Sequence, residues 1–294
     1  MMAAEAIGLI GVGLVGSALG AQLLQRGYGL VCCDIDPAKS AALSGLGATA
    51  VETPAAVAEH CERVILSLMT TAIVREVAAG ADGLLSATGR PAHIIDTTTG
   101  DPEDTVALAA ELSAAGIAYL DATISGSSAQ IRQRGGTFMV GGSAQAFAHN
   151  GDLFACFSDR VYHLGPAGSG SRAKLASNLV LGLNRLALAE GLVFAERLGL
   201  DLESLLAVLK DSPAYSAAMD SKGRKMLDGD FAPVARLRQH HKDVELILAC
   251  ARKAGQELPL SAAHRELLAA AVAAGDGDLD NAAVIRQLRR PGSG

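Results

Sequence analysis

Gly11-Val12-Gly13-Leu14-Val15-Gly16 follows the first apolar run of the chain, Ala6 to Ile10, and leads into a helix-like stretch, Ser17 to Arg26. No other feature restricts the fold as strongly. In G-x-G-x-x-G the first glycine turns tightly out of a strand, the second lets the main chain approach a pyrophosphate, and the third lets helix and strand pack closely. The free N–H groups and dipole of the helix N-terminus complete an anion site. Leu19, Leu23 and Leu24 share one side of the helix-like stretch, Gly27 stops it, and Leu30 to Cys33 reads as a second strand ending at Asp34. Asp34 comes 18 positions after Gly16, near the roughly 20-residue interval at which a carboxylate meets a nucleotide ribose. The expectation is a strand, helix, strand unit in which Gly11, Gly13, Leu14, Val15, Gly16 and Asp34 hold a dinucleotide. A secretory signal or membrane helix explains the run less well, because Glu5 stands where a basic region belongs and the glycines keep phosphate-loop spacing.

The 294 residues suffice for about two ordinary domains. With no Trp and 3% aromatic residues, the core must rest on Ala, Leu, Val and Ile, which suits helices packed on a mainly parallel sheet. A net charge of −6 argues against a nucleic-acid surface, and the one dense basic cluster, Arg286, Arg289 and Arg290, reads as a solvated tail. Cys32, Cys33, Cys61, Cys156 and Cys250 form neither a C-x-x-C pair nor a metal-ligand spacing. They are expected to be reduced core residues of a cytoplasmic protein without a metal. The adjacent His240 and His241 would point about 100° apart on a helix, so surface or supporting roles are expected for them rather than joint ligation.

Strand signals recur at Val64 to Leu68, Ile94 to Asp96, Ala118 to Ala122 and Phe138 to Gly141, with helical stretches between them. This alternation predicts an α/β Rossmann domain over residues 1–164, an open sheet with helices on both faces. Ligands then bind beyond the carboxyl ends of the strands, where Thr70-Thr71, Thr97-Thr98-Thr99 and Ser125-Gly126-Ser127-Ser128 cluster. The alternation stops after Val161 to Leu164, and Gly165 to Gly170 reads as a hinge. Residues 165–294 are expected to form an all-α domain, opened by a long helix from Ser171 to Leu198. Further helices are expected near 201–210, 213–227, 235–254, 259–274 and 279–289. The long helix carries Asn178, Asn184, Arg185 and Glu190, a poor composition for a membrane span, so a buried helix between domains or subunits is expected.

Lys174 and Asn178 stand four residues apart on that helix and share a face. Hydride addition to a carbonyl creates an alkoxide, and a nearby ammonium both neutralises it and supplies a proton. Four ordered segments resemble the β-hydroxyacid dehydrogenases, the family of 3-hydroxyisobutyrate dehydrogenase and tartronate semialdehyde reductase. They are Gly8 to Gly16, Asp121 to Ser127 with Gly135 to Gly142, Lys174 to Asn178, and Lys242 to Leu246. The resemblance runs from about residue 6 to 275. It implies hydride transfer between NAD(H) and a small 3-hydroxy acid or semialdehyde. It further implies Lys174 as general acid and base, Asn178 orienting substrate and lysine, and Ser125, Gly126 and Ser127 receiving the substrate carboxylate. By the same resemblance Lys242 closes over the nicotinamide side with Asp243 in support, and Leu68, Met69 and Thr98 flank the nicotinamide ribose.

The sequence departs from the family pattern at Met69 and Thr123, where proline is usual, and at Ser127, where a second glycine is usual. Ser127 adds a hydroxyl and a Cβ to the carboxylate loop, which implies a substrate substituent unlike a methyl group. Asp34 suits two ribose hydroxyls and repels a 2′-phosphate, and Ile35 stands where NADP users in this family tend to place Arg, so NAD is expected over NADP. Other readings are a 6-phosphogluconate-type dehydrogenase, which usually has His where Ser177 stands, an imine reductase, which commonly lacks the lysine, and a non-catalytic dinucleotide-binding module. A homodimer or homotetramer is expected, because the long apolar helix needs more partners than one subunit offers.

Overall fold

Eight strands form one sheet in a computed structural model that describes residues 5–290. They are β1 (Ala6–Ile10), β2 (Gly29–Cys33), β3 (Thr49–Ala50), β4 (Arg63–Leu66), β5 (His93–Asp96), β6 (Ala118–Ser125), β7 (Thr137–Gly141) and β8 (Val161–His163), in the order β3-β2-β1-β4-β5-β6-β7-β8. Neighbours are parallel except β6 and β7, which run antiparallel. The connection across residues 126–136, with only a short helix at Ser128–Arg132, returns the chain directly rather than through the long crossover a parallel neighbour needs.

Strand side chains alternate between the two faces, and the core divides accordingly. Ile7, Leu9, Ile65 and Ile95 belong to one apolar layer, and Ile10, Val64, Leu66 and Ile94 to the other. Burial on both faces is why these strands read as continuous apolar runs. β3 has only two residues, both exposed, and carries no apolar pattern that would announce it. The chain reverses direction across the sheet between β1 and β4, with β2 and β3 laid down on one side and β4 onwards on the other. Ligands of doubly wound sheets bind at such a switch point.

The chain divides into two compact units after Lys174, beyond the expected boundary at Leu164. The reason lies in β6. Asp121, almost fully buried, accepts 2.8 Å hydrogen bonds from the N–H groups of Gly168 and Ser171, and the Thr123 hydroxyl donates to the Gly170 carbonyl at 2.9 Å. These bonds tie the first turn of the long helix, Ser169–Arg197, to the sheet. Proline at position 123 could not make the second of them.

The second unit is helical, with helices at Leu202–Asp211, Leu237–Lys253, Pro259–Ala271 and Val284–Arg289. The helix expected at 213–227 starts only at Ala217 and runs on to Asp228, with a π-helical stretch, Met219–Gly223, ahead of its last turn, Arg224–Asp228. Ser212 accepts from Ala214 N–H and holds the preceding segment in a turn instead. The long helix is apolar and long enough to cross a membrane by those criteria, but Leu186, Leu188, Ala189 and Leu192 are packed into this unit's core. Buried Asp280 organises the unit, accepting from the Lys222 ammonium at 2.7 Å and from the N–H groups of Val234, Ala235 and Ala282. Burial alone would raise its pKa, yet Lys222 and the three N–H donors hold it below the usual carboxylate value.

Candidate active site

The register places Ile10 of β1 level with Cys33 of β2 and with Leu66 of β4. The loops that leave these strands, at Gly11, Asp34 and Ser67, therefore emerge side by side at the switch point. The glycines of the first loop differ in their surroundings. Gly11 sits at φ +91°, and a Cβ there would collide with the Ser67 carbonyl. A Cβ at Gly16 would strike the Gly11 carbonyl, so this glycine permits the helix to pack on the strand. A Cβ at Gly13 would meet no atom within 4 Å, so no neighbour in the fold requires glycine at that position.

Gly13 is the N-cap of the first helix, Leu14–Gln25, and no side chain caps it. The helix begins at Leu14 rather than Ser17 because the loop itself supplies the cap. Leu14, Ile35 and Met69 are exposed apolar side chains following the neighbouring strands β1, β2 and β4. An open glycine, a helix N-terminus without a side-chain cap and an apolar rim together fit a dinucleotide, with phosphates at the N–H groups and flat rings on the rim.

Asp34 is turned inward. Its carboxylate accepts from Val12 N–H at 2.6 Å and Asp36 N–H at 2.9 Å, and the Lys39 ammonium stands 3.5 Å away. It thus braces the glycine loop. Lys39, which no motif in the sequence announces, offsets part of its charge. Thr98, expected beside the nicotinamide ribose, is buried and accepts from Leu68 N–H at 3.1 Å, so it positions the Leu68-Met69 turn from beneath. Below it, fully buried Asp96 accepts from Thr98 N–H and from the Tyr119 hydroxyl. Burial pushes the Asp96 carboxyl up to about 6 despite those bonds.

At the end of β6 the Lys174 ammonium donates to the Ile124 carbonyl at 2.7 Å, adjacent to Ser125 and Gly126. Gly126 is at φ +150°, and a Cβ there would press on Gly136 Cα at 3.2 Å, so the loop needs glycine. Ser127 is hydrogen-bonded within its own loop. Its hydroxyl accepts from Gln130 N–H, and its own N–H donates to Gln130 Oε1 at 2.8 Å, a capping box that opens the Ser128–Arg132 helix. The pattern Ser127-x-x-Gln130 could have announced this role in the sequence.

Asn178 stands one turn after Lys174 on the long helix, and Lys242 and Asp243 lie on the Leu237–Lys253 helix of the second unit. Lys242 is exposed, and Asp243 accepts from Gln239 Nε2 at 3.4 Å. His240, expected at the surface or in a supporting role, is buried and packs against His264. Among the described residues no group of three or more His, Cys, Asp or Glu side chains could hold a metal ion.

Residues 6–165 match the family model described as the NAD binding domain of 6-phosphogluconate dehydrogenase. Residues 168–288 match the one described as NAD-binding of NADP-dependent 3-hydroxyisobutyrate dehydrogenase. The chain is 32% identical to 2-(hydroxymethyl)glutarate dehydrogenase of Eubacterium barkeri, over 95% of this chain and 93% of the relative. It is 30% identical to 2-hydroxy-3-oxopropionate reductase of Escherichia coli, over 96% of each chain. A solved structure of Mycobacterium tuberculosis 3-hydroxyisobutyrate dehydrogenase with L-serine matches with a TM-score of 0.88 and 27% identity, over 98% of this chain and 100% of that one. The chain belongs to the β-hydroxyacid dehydrogenase family, oxidoreductases that work with a nicotinamide dinucleotide.

Proposed function

We propose that this protein interconverts a small 3-hydroxy acid and its semialdehyde, with Lys174 as the proton donor and acceptor. The observation that carries the reading is the Lys174 ammonium held on the Ile124 carbonyl, next to the Ser125-Gly126 loop. That loop offers an N–H and a hydroxyl at a strand end, a suitable receiver for the substrate carboxylate. With the carboxylate there, an ammonium beside it can meet the oxygen on the neighbouring carbons, neutralise the charge that develops and deliver the proton. Asn178, one turn along the helix, orients the substrate oxygen and the lysine. The bound nicotinamide supplies or accepts the hydride. The relatives from Eubacterium barkeri, Escherichia coli and Mycobacterium tuberculosis support the substrate class, since each is named for a small hydroxy acid or its oxo counterpart.

NAD is the preferred cofactor in this reading. The Asp34 carboxylate beside the glycine loop favours ribose hydroxyls and opposes a 2′-phosphate, with Lys39 softening the discrimination. Five free cysteines support a reducing, cytoplasmic setting. Exposed Val180, Leu181 and Phe194 on the long helix support a homodimer or homotetramer. The test is NADH formation across a panel of small 3-hydroxy acids, with cofactor binding measured separately. Binding without turnover on any member would favour a non-catalytic dinucleotide-binding module.

A further inference from the structure

Arg185 lies inside the helical unit and is only 5% exposed. A buried guanidinium is normally met by a carboxylate. Here Nη1 finds no acceptor among the described residues. Asp280, whose field reaches Arg185, is already committed to Lys222 and to the N–H groups of Val234, Ala235 and Ala282. Burial brings the guanidinium down to about 10, against the opposing fields of Asp280 and Asp243.

Two imidazoles face the same stretch of the long helix. His240 and His264, on successive helices, have ring centroids 5.1 Å apart, and both are more than nine-tenths buried. A Cβ at Gly182 would stand 2.7 Å from His240 Nε2 and 3.1 Å from His264 Cε1, so glycine is what admits the rings. Gly182 and Arg185 are three residues apart and share a helix face. His240 Nε2 also has no partner among the described residues. Burial first, then the charge of Arg185, brings His240 down to about 2 and His264 to about 4, so both rings are neutral at neutral pH. A neutral imidazole still donates through one nitrogen.

We propose that Arg185, His240 and His264 form a carboxylate-binding site within the helical unit. The guanidinium supplies the charge and a planar fork of donors, and His240 supplies an N–H. One cation with two neutral rings matches a singly charged, two-oxygen acceptor. A phosphate dianion would leave excess negative charge near Asp280 and Asp243 that neither imidazole offsets. The ligand is a small carboxylic acid separate from the substrate, because Arg185 stands 11 residues, about 16 Å, along the helix from Lys174, farther than a small dicarboxylate reaches.

The test compares the intact chain with Arg185→Met, since an apolar side chain in place of a buried charge commonly preserves a fold. If that variant does not fold, His240→Asn takes its place. Sodium glutarate and sodium butyrate are titrated by calorimetry and thermal melts against sodium chloride of equal ionic strength. Both carboxylates should bind the wild type and raise its Tm, and the variant should bind them about tenfold more weakly or worse. Then kcat/KM is measured for 2-(hydroxymethyl)glutarate and 3-hydroxyisobutyrate. A loss of about tenfold or more confined to the dicarboxylate would put the carboxylate on the substrate and overturn the separate ligand. An unchanged ratio, with glutarate binding lost, identifies a separate ligand. If the two carboxylates bind neither protein, or bind both equally, the proposal is overturned. The binding measurements need no turnover, so their failure is distinct from failure of the catalytic reading.

Discussion

Lys174 donates to the carbonyl of Ile124 at 2.7 Å, a bond between the start of the long helix and the end of β6. The same strand fixes that helix through Asp121 and Thr123. The side chain proposed to move the proton is thus set by a strand rather than by a loop, and rigid elements hold reactive geometry best.

Thr123→Val tests this anchoring. It keeps the shape of the side chain and removes the bond to the Gly170 carbonyl. Loss of one buried hydrogen bond costs about 1 kcal/mol. Urea melts should show that loss, and kcat should fall severalfold while the Kd of the cofactor stays unchanged.

The loop glycines should separate fold from binding. Gly13→Ala meets open space, so its melting temperature should match the wild type while cofactor affinity falls by about tenfold or more. Gly16→Ala meets the Gly11 carbonyl and should lower stability outright. Thermal melts beside cofactor titrations check both.

Asp34→Asn removes the charge that opposes a 2′-phosphate and leaves Lys39 beside the site. The ratio of kcat/KM for NADP to that for NAD should rise by about tenfold, the effect of roughly 1.4 kcal/mol. Comparable kcat/KM values for both cofactors in the wild type would contradict the preference for NAD.

Asp96 gives a pH dependence of defined sign. Its proton is held up to about pH 6 in the folded chain, against an ordinary value of 3.8. The folded state binds the extra proton between those values, so this contribution is complete below about pH 4 and is lost as pH rises through 6. Two pH units correspond to about 3 kcal/mol. The stability difference between wild type and Asp96→Asn should move against the wild type by about that amount from pH 4 to pH 7, read from denaturant melts.

Much of the fold could be read in the chain because doubly buried strands leave apolar runs and the glycine loop marks where the first one ends. The helix boundary at Leu14 was harder, since Gly13 caps through its main chain and leaves no capping side chain to recognise. The two residues of β3 bury nothing and so carry no pattern. At the site, Lys174 stood out by its resemblance to a family motif, whereas the inward turn of Asp34 depends on Val12 and Lys39, contacts that spacing does not encode. Arg185 was visible as a charge in an apolar helix, but that its field reaches His240 and His264 follows from how three helices pack together.

The most direct measurement is NADH formation by Lys174→Ala on the best 3-hydroxy acid of the panel, with cofactor affinity determined in parallel. If Lys174 moves the proton, kcat falls by roughly a hundredfold or more while the Kd for NAD is unchanged. A variant that keeps the wild-type kcat would contradict that role.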